Sequence, residues 1–456
     1  MTASFVFRAF ILDERLCLFR IVGLLAFLFA ASVPSVQARS WPQWRGPDAS
    51  GHLPGSGYPA EWNYSKNVSW KVAIPGRGHS SPVVEGNLVW LTTAYETPAD
   101  PAEAKERLKQ NTGSQPLNLL ASVSLRAIRI DPFTGKILRN VEVLVKQKPQ
   151  WVHKLNSYAS GTPCLEDGKL YCHFGAFGNA CLDAETGKVL WKNDDERLWV
   201  QHENGPGSSP ILWGDFMIFH LDGSDEQSIV ALRKKDGKIA WQTKRSGKMA
   251  SNPQFKKSYA TPILAKDGED DLLLSPAADW LYCYDPAAGR ELWKLPYGLL
   301  GFSNVSRPIT GHGMLFLSTC FMKGEMLGIR LKGKNPPEIV WRERSAPKMS
   351  SPILVGDELY LVNDAGIASC LDARTGEMHW KARLNGQFSA SPSFADGRLY
   401  LSDRSGVTHV LAPDKKELRI LNTNVLDESA HMGSFAPHRS AFLIRTEKAL
   451  YRVEKR

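Results

Sequence analysis

Two nearly identical segments of twelve residues constrain the fold of this chain more than any other feature. CLDAETGKVLWK spans Cys181 to Lys192, and CLDARTGEMHWK spans Cys370 to Lys381. Repetition at such a distance is typical of repeat architectures, so the period of the sequence has to be found before its domains are counted.

A small residue followed by proline gives that period. The motif opens an apolar segment at seven positions: Pro82, Pro163, Pro210, Pro262, Pro308, Pro352 and Pro392. From Pro163 onward the prolines are 40 to 52 residues apart, and an eroded eighth copy, GSFAP, occupies residues 433–437. Because 81 residues separate Pro82 from Pro163, the first unit carries an insertion.

Each unit has the pattern of four short β-strands. Segments with alternating side chains, such as ELYLV at Glu358–Val362, are separated by turns rich in Gly, Asp and Asn. Units of 40 to 50 residues with four such strands are typical of propeller blades. The sequence therefore predicts an all-β, eight-bladed β-propeller of four-stranded antiparallel blades.

The two ends of the chain are predicted to share the last blade. NVSWKVAIP, around Trp70, resembles a fourth strand with no blade of its own, whereas the C-terminal segment lacks a fourth strand. Pairing of the N-terminal strand with the last blade closes the ring and removes its open edges.

A tryptophan recurs at one position of the fourth strand, where a large ring can cover the neighbouring blade. The predicted packing residues are Trp70, Trp191, Trp241, Trp293, Trp341 and Trp380. Arg139 and Leu421 replace tryptophan in the first and seventh units, so these junctions are expected to pack differently.

The insertion in the first unit, at about residues 94–122, contains DPAEAKERLKQ. Asp100 as N-cap, Pro101 at the first helical position and Glu103 at the third predict a short helix. A lid, a docking element and a solubilising decoration are alternative roles for it.

The N-terminal residues predict export. Three arginines precede the apolar run at Ile21–Ala31, and small residues stand at Val36 and Ala38, as in a secretory signal. We expect a signal peptide at 1–38, cleavage near Ala38, and a single propeller domain at 39–456. The mature chain is then periplasmic or secreted and does not span a membrane. The net charge of +9 is dispersed among acidic residues, which argues against nucleic-acid binding.

The cysteines leave two alternatives open. Cys172 and Cys181 flank a turn and could form a disulfide across a hairpin, or they could be buried thiols. The sequence has no CxxC motif, so zinc, haem and dithiol redox sites lack support.

The loops divide into two sets. In such blades the loops before the first strand and between the second and third strands share one face, and here they are long and irregular; binding residues concentrate on such loops. The candidate residues on this face for a ligand or partner are His79, His153, His202, Asn204, Asp222, Asp279, Asn304, Arg307, Asp364, Arg404 and His431. Histidines and carboxylates around one funnel could bind a divalent metal, or each could bond to its own loop. No catalytic residue is predicted, because GxSxG is absent and the serines before proline belong to the repeat.

The recurring D-x-x-T-G-K-x-x-W resembles the motif of the PQQ-like (quinoprotein-type) β-propeller repeat, and WPQWRGPDASG at Trp41–Gly51 resembles the start of exported bacterial proteins of that type. The resemblance covers nearly the whole predicted mature chain. It implies a fold that is shared by BamB-like scaffolds and by quinoprotein dehydrogenases. In the enzymes it implies PQQ with calcium over the axis and a pair of adjacent cysteines, which this sequence lacks.

The sequence thus leads to three functional hypotheses. The first is a monomeric, non-catalytic binding or assembly scaffold of the cell envelope, with a protein or peptide partner on the irregular-loop face and no cofactor. The second is a PQQ- or metal-dependent oxidoreductase. The third is a carbohydrate-binding propeller, in which Trp151 or Trp199 stacks on sugar rings.

Overall fold

The computed structural model describes residues 40–456 except positions 112, 299–301, 320 and 345. The predicted signal peptide at residues 1–38 lies outside this range. Within it, the strands in chain order are β1 (Val68–Ala73), β2 (Val83–Glu85), β3 (Leu88–Pro98), β4 (Leu117–Asn118), β5 (Leu120–Ile130), β6 (Ile137–Gln147), β7 (Val152–His153), β8 (Cys164–Glu166), β9 (Lys169–His173), β10 (Asn179–Asp183), β11 (Val189–Asn193), β12 (Ile211–Trp213), β13 (Phe216–Asp222), β14 (Gln227–Arg233), β15 (Ile239–Lys244), β16 (Ile263–Asp267), β17 (Asp270–Pro276), β18 (Trp280–Tyr284), β19 (Glu291–Pro296), β20 (Ile309–Gly311), β21 (Met314–Ser318), β22 (Met326–Lys332), β23 (Asn335–Glu343), β24 (Ile353–Val355), β25 (Glu358–Val362), β26 (Ile367–Asp372), β27 (Met378–Arg383), β28 (Ser393–Ala395), β29 (Arg398–Ser402), β30 (Val407–Ala412), β31 (Arg419–Val425), β32 (Ala436–His438), β33 (Ala441–Arg445) and β34 (Ala449–Val453).

All of these strands except β4 and β7 form eight four-stranded antiparallel sheets, which confirms the predicted eight-bladed propeller. β4 and β7 pair with each other in a separate two-stranded sheet. Blade 1 consists of β2, β3, β5 and β6, and blades 2 to 7 take four consecutive strands each, from β8 to β31. Blade 8 has the order β1-β34-β33-β32, with Trp70 opposite Arg452 and Ala73 opposite Ala449. The N-terminal strand therefore completes the last blade, as the sequence predicts.

Helical structure is confined to connections. Helix α1 spans Pro101–Leu108 between β3 and β5, and the Asp100 carboxylate accepts hydrogen bonds from the backbone N–H groups of Ala102 and Glu103. Short 3₁₀ turns occupy Gly175–Phe177, Glu196–Leu198 and Pro253–Phe255. No helix among the described residues is long and apolar enough to cross a bilayer.

The hydrophobic core lies between adjacent blades rather than in one central mass. One cluster, for example, joins Trp90 of blade 1 to Leu170 of blade 2, and another joins Leu274 of blade 4 to Leu315 of blade 5. Each blade is therefore stable only against its neighbours, and the contacts between blades determine the fold.

The repeated tryptophans contact the next blade in two ways, through packing of the indole ring and through a hydrogen bond from its N–H group. Each indole N–H donates to a backbone carbonyl near the last turn of the next blade, at N···O distances of 2.8 to 3.2 Å. The six pairs are Trp70 with Pro132, Trp191 with Lys234, Trp241 with Pro286, Trp293 with Gly333, Trp341 with Ala373, and Trp380 with Asp414.

The turn glycine of the next blade packs flat against the same ring. Gly376 has φ of +75°, which only glycine adopts easily, and a Cβ there would lie 2.6 Å from the Trp341 ring. Equivalent contacts join Gly135 to Trp70, Gly237 to Trp191, and Gly289 to Trp241. The glycine and the tryptophan of the repeated motif therefore both make contacts between blades: the glycine packs on the tryptophan of the preceding blade, and the tryptophan packs on the turn of the next blade.

The junction after blade 1 differs, as predicted. The Arg139 guanidinium donates to the Thr186 carbonyl at 3.0 Å, and its alkyl chain lies over Gly187. Arginine thus replaces the hydrogen bond of the indole and part of its packing surface.

The cysteines described by the structure are buried free thiols. Cys172 lies opposite Ala180, and Cys181 lies opposite Tyr171. Because successive residues of a strand face opposite sides of the sheet, Cys172 and Cys181 point away from each other, and the disulfide alternative is wrong.

The blade contact predicts a difference between two glycine substitutions. Gly376→Ala combines backbone strain with a steric clash against Trp341, whereas Gly397 has φ of +69° and no atom within 4 Å of the place that a Cβ would occupy. We expect Gly397→Ala to lower the free energy of unfolding by about 1–2 kcal/mol and Gly376→Ala to lower it by a further ~1–3 kcal/mol. Urea unfolding of both variants measures this; equal losses would contradict the contact.

Candidate functional site

A ring of hydroxyl groups surrounds the propeller axis. Six backbone N–H groups at the position before the first strand donate to the hydroxyl of the adjacent blade, at 2.9 to 3.0 Å. The acceptors are Thr162, Ser209, Thr261, Ser351, Ser391 and Ser81. This explains why a small hydroxyl residue precedes proline in nearly every unit.

The N-terminal segment closes the channel on the side of the short turns. Trp41 pairs with Val84 of blade 1, and the Arg45 guanidinium, fully buried, donates to the carbonyls of Pro352 and Pro392 at 2.8 and 3.2 Å. The same segment then crosses to blade 7, where the Asp396 carboxylate accepts from the N–H groups of residues 57 and 58.

Arg307 holds this segment from the other side. It replaces the hydroxyl residue in blade 5, and its guanidinium donates to the carbonyl oxygens of Trp44 at 2.5 Å and Pro262 at 3.3 Å. Burial lowers the pKa of Arg307 to about 10. Arg307 therefore has a structural role under the funnel rather than a ligand-binding role on its surface.

Above this closure, a cavity of about 390 Å³ opens toward the irregular loops. The Trp44 ring contributes to its lining, and its indole N–H donates to the Ser434 hydroxyl at 3.2 Å. The lining includes four of the candidate residues, namely His79, His153, Asn204 and Asp364. It also includes residues that sequence analysis missed, namely Trp44, Leu155, Asn156, Phe321, Lys348, Met349 and Met432.

The four candidate histidines do not form a cluster. His79 and His153 line the cavity, whereas the His202 ring accepts a hydrogen bond from the Ala176 N–H at 2.8 Å and His431 is completely buried. Among the described residues, no group of three or more His, Cys, Asp or Glu side chains could hold a metal ion.

Burial keeps these imidazoles neutral. Burial, aided by the guanidinium groups of Arg77 and Arg445, lowers the pKa of His79 to about 3. Burial likewise lowers the pKa of His202 to about 3 and that of His431 to about 4. A histidine with so low a pKa is a poor proton acceptor at neutral pH.

Two of the candidate carboxylates, Asp222 and Asp364, form structural hydrogen bonds. The Asp222 carboxylate and the Arg245 guanidinium form a bidentate ion pair, at 2.8 and 3.0 Å, with no side-chain exposure. The Asp364 carboxylate accepts from the Lys348 N–H at 2.8 Å. Asp403, a further carboxylate between the second and third strands of blade 7, accepts from the N–H groups of its own loop.

The remaining candidates lie outside the cavity lining. The Asn304 amide donates to the Ala277 carbonyl at 2.8 Å and to the Tyr297 hydroxyl at 2.7 Å. Asp279 is half-buried, and burial raises its pKa to about 6. Arg404 is half-buried, and its Nε has no hydrogen-bond partner among the described residues.

The known proteins that resemble this chain include both an assembly factor and a dehydrogenase. The family model described as "Outer membrane protein assembly factor BamB" matches residues 279–450. BamB from Salmonella typhimurium is 24% identical over 272 residues, which are 56% of this chain and 64% of that protein. A quinoprotein ethanol dehydrogenase from Pseudomonas aeruginosa is 26% identical over 176 residues, which are 35% of this chain and 27% of that protein.

The chain is thus similar in sequence to the PQQ-like repeat β-propeller proteins, and the match to the family model lies in residues 279–450. It matches less than two thirds of the length of these relatives. A europium-containing methanol dehydrogenase has a similar structure, with a TM-score of 0.59 and 14% identity over 91% of this chain and 89% of that one, which shows the fold alone.

The residues of this PQQ-like propeller do not fit the calcium-dependent quinone site of the dehydrogenases. Calcium takes six to eight oxygen ligands, and carboxylates supply the negative charge that balances the ion, beside carbonyl groups and waters. Asp364 is the acidic residue in the described cavity lining, and Asp222 and Asp403 are already bonded to protein groups. The described part of the cavity therefore lacks the carboxylates that a calcium ion would need.

An aromatic patch lies at the rim of the cavity. The Phe255 and Phe302 rings are 4.6 Å apart, and the Phe302 and Phe321 rings are 5.7 Å apart. Phe321 is 50% exposed and Met322 is 69% exposed. A contiguous exposed apolar patch beside a cavity is typical of an interaction surface.

The neutral histidines predict acid sensitivity. Their pKa values are lower in the folded than in the unfolded chain, so the unfolded chain binds more protons below about pH 6.5, and stability falls as pH decreases from 7 to 4. Each histidine contributes up to about 2 kcal/mol of this loss between pH 7 and 5.

His431→Leu tests this directly, because neither ring nitrogen of His431 has a hydrogen-bond partner among the described residues. The variant should take up about one proton fewer on unfolding near pH 5. Urea unfolding between pH 7 and 5 gives that number from the slope of free energy against pH; an unchanged slope would show that His431 is not held neutral.

Proposed function

We propose that this protein is an exported, non-catalytic scaffold of the cell envelope, periplasmic or secreted and monomeric. A segment of a partner protein binds the irregular-loop face, placing apolar side chains on the rim patch of Phe255, Phe302, Phe321 and Met322 and in the cavity. No cofactor is required for this role.

The cavity and its rim are the observation that carries the proposal. A closed axial channel gives the propeller a concave surface of about 390 Å³ on the irregular-loop face. Its edge presents Leu155 and Phe321, each 50% exposed, on loops of blades 1 and 5. An apolar anchor inserted in a desolvated pocket is the usual centre of a protein interface.

The chemistry of the cavity also favours binding over catalysis. His79 is held neutral with a low pKa, and Asp364 bonds to the backbone of Lys348. The His79 Nδ1 lies 3.4 Å from the Ser160 hydroxyl, but an imidazole with so low a pKa is a poor general base for that hydroxyl. The longer match to BamB, 56% of the chain against 35% for the ethanol dehydrogenase, supports the scaffold over the oxidoreductase.

Site-specific photo-cross-linking tests the proposed docking face. A p-benzoylphenylalanine in place of Phe321, in the producing cell, should give a discrete cross-linked partner. Phe133 is the matched control, since it is 46% exposed but lies in a turn on the opposite face.

The same probe at Phe133 should give no such adduct. Identical adducts from both positions, or no adduct from position 321, would contradict docking at the rim. Phe321→Ser should reduce recovery of the partner at least tenfold, because it removes the exposed ring while the tryptophan contacts between blades stay intact.

A further inference from the structure

A second concave surface lies away from the propeller axis. It is a cleft of about 600 Å³ between helix α1, the segment Gln147–Trp151, and the turn Glu196–Leu198 with Trp199. Its volume is within the range of about 300–1,000 Å³ typical of small-molecule sites. The insertion in blade 1 and the loop between blades 2 and 3 therefore line one cleft of this size together.

Trp199 is the distinctive residue of this cleft. Its side chain is 52% exposed, whereas Trp293 and Trp341, at the junctions between blades, are 4% and 8% exposed. Trp199 is not one of the tryptophans at the junctions between blades, so packing between blades does not explain why a tryptophan occupies this position. A broad apolar ring at the edge of a polar cleft can pack against the C–H face of a flat, polar ligand.

Two hydrogen-bond donors in the cleft lining are unsatisfied. Nε1 of Trp151 and Nε2 of Gln201 are buried and have no partner among the described residues, and Trp151 is only 7% exposed. An unsatisfied buried donor costs about 1–3 kcal/mol. A small rotation of either side chain toward the cleft breaks no hydrogen bond and gains one if a ligand supplies an oxygen.

The walls of the cleft are held rigid by their own contacts. The Arg107 guanidinium of α1 donates to the carbonyls of Leu120 and Pro149 at 3.0 and 2.6 Å. The Gln150 amide accepts from the His202 N–H at 2.7 Å and donates to the Val200 carbonyl at 2.9 Å. The walls are thus preformed and lose little conformational entropy on binding, and only the side chains of Trp151 and Gln201 have to turn toward the ligand.

Apart from Glu196, the charged residues of the cleft lining form ion pairs. Lys146 bonds to Asp194 at 2.8 Å, and Arg197 bonds to Asp195 at 2.6 Å. Lys148 lies 3.1 Å from Glu103 of α1. Since cations and carboxylates neutralise each other within the site, it offers neither a cationic surface for nucleic acid nor an acidic one for a cation.

We propose that this cleft binds a neutral oligosaccharide. The Trp199 ring packs on the C–H face of one pyranose, and Trp151 and Gln201 donate to its oxygens. The carboxylates of the cleft accept hydrogen bonds from sugar hydroxyls, which replace the water that solvates these groups in the free protein. This site is independent of partner docking at the rim patch.

A glycan array tests the proposal, with neutral oligosaccharides and with sulfated or uronic acid-containing ones as probes for the full chain. We expect binding to one or more neutral probes, which titration calorimetry then quantifies. Trp199→Ala should weaken that binding at least tenfold, and Trp199→Phe, which keeps an aromatic face, should restore most of it.

Two controls make the outcome decisive. Phe321→Ala, at the rim of the axial cavity, should leave the affinity for the glycan unchanged, and thermal unfolding should show that Trp199→Ala is folded. No binding to neutral probes, binding to charged probes alone, or equal losses for Trp199→Ala and Phe321→Ala would overturn the proposal. Partner cross-linking from position 321 is unaffected by any of these results.

Discussion

The contact between a tryptophan of one blade and the turn glycine of the next is the interaction on which the rest of the structure depends. At the Trp341–Gly376 junction it combines an indole hydrogen bond of 3.0 Å, a buried ring and a left-handed glycine that brings the backbone against the ring. Because no blade has a core of its own, these contacts orient neighbouring blades at the junctions where they occur, and the strand shared by the chain ends closes the ring.

The closed ring in turn determines where a ligand can bind. The hydroxyl ring joins the innermost strands, and Arg45 and Arg307 fix the N-terminal segment across the channel through backbone carbonyls. Burial, with a smaller effect from Arg307, lowers the pKa of Arg45 to about 9. Burying this cation costs free energy, and its hydrogen bonds to backbone carbonyl oxygens offset that cost. One end of the channel is thereby sealed, and the irregular loops form a cavity at the other.

The sequence predicts the fold better than the site. Periodicity in proline, tryptophan and glycine reports on contacts that recur in every blade, so blade number, strand order and closure could be read directly. Ligand-facing residues occur once each, and residues such as Asp222 and Asn304 lie on the predicted face but bond to neighbours in the fold. Trp44 and Arg45 belong to the recognisable segment WPQWRGPDASG. Their position in the channel could not be predicted, because it depends on contacts with distant residues that do not recur from blade to blade.

Binding of PQQ to the purified protein is the most direct test of the non-catalytic scaffold. Isothermal titration calorimetry with PQQ and Ca²⁺, run beside a quinoprotein dehydrogenase as positive control and followed by a dye-linked alcohol oxidation assay, measures both binding and turnover. A scaffold whose carboxylates are committed to structural hydrogen bonds should give no saturable heat and no turnover. Tight, calcium-dependent binding with alcohol oxidation would contradict the scaffold role and identify the propeller as an oxidoreductase.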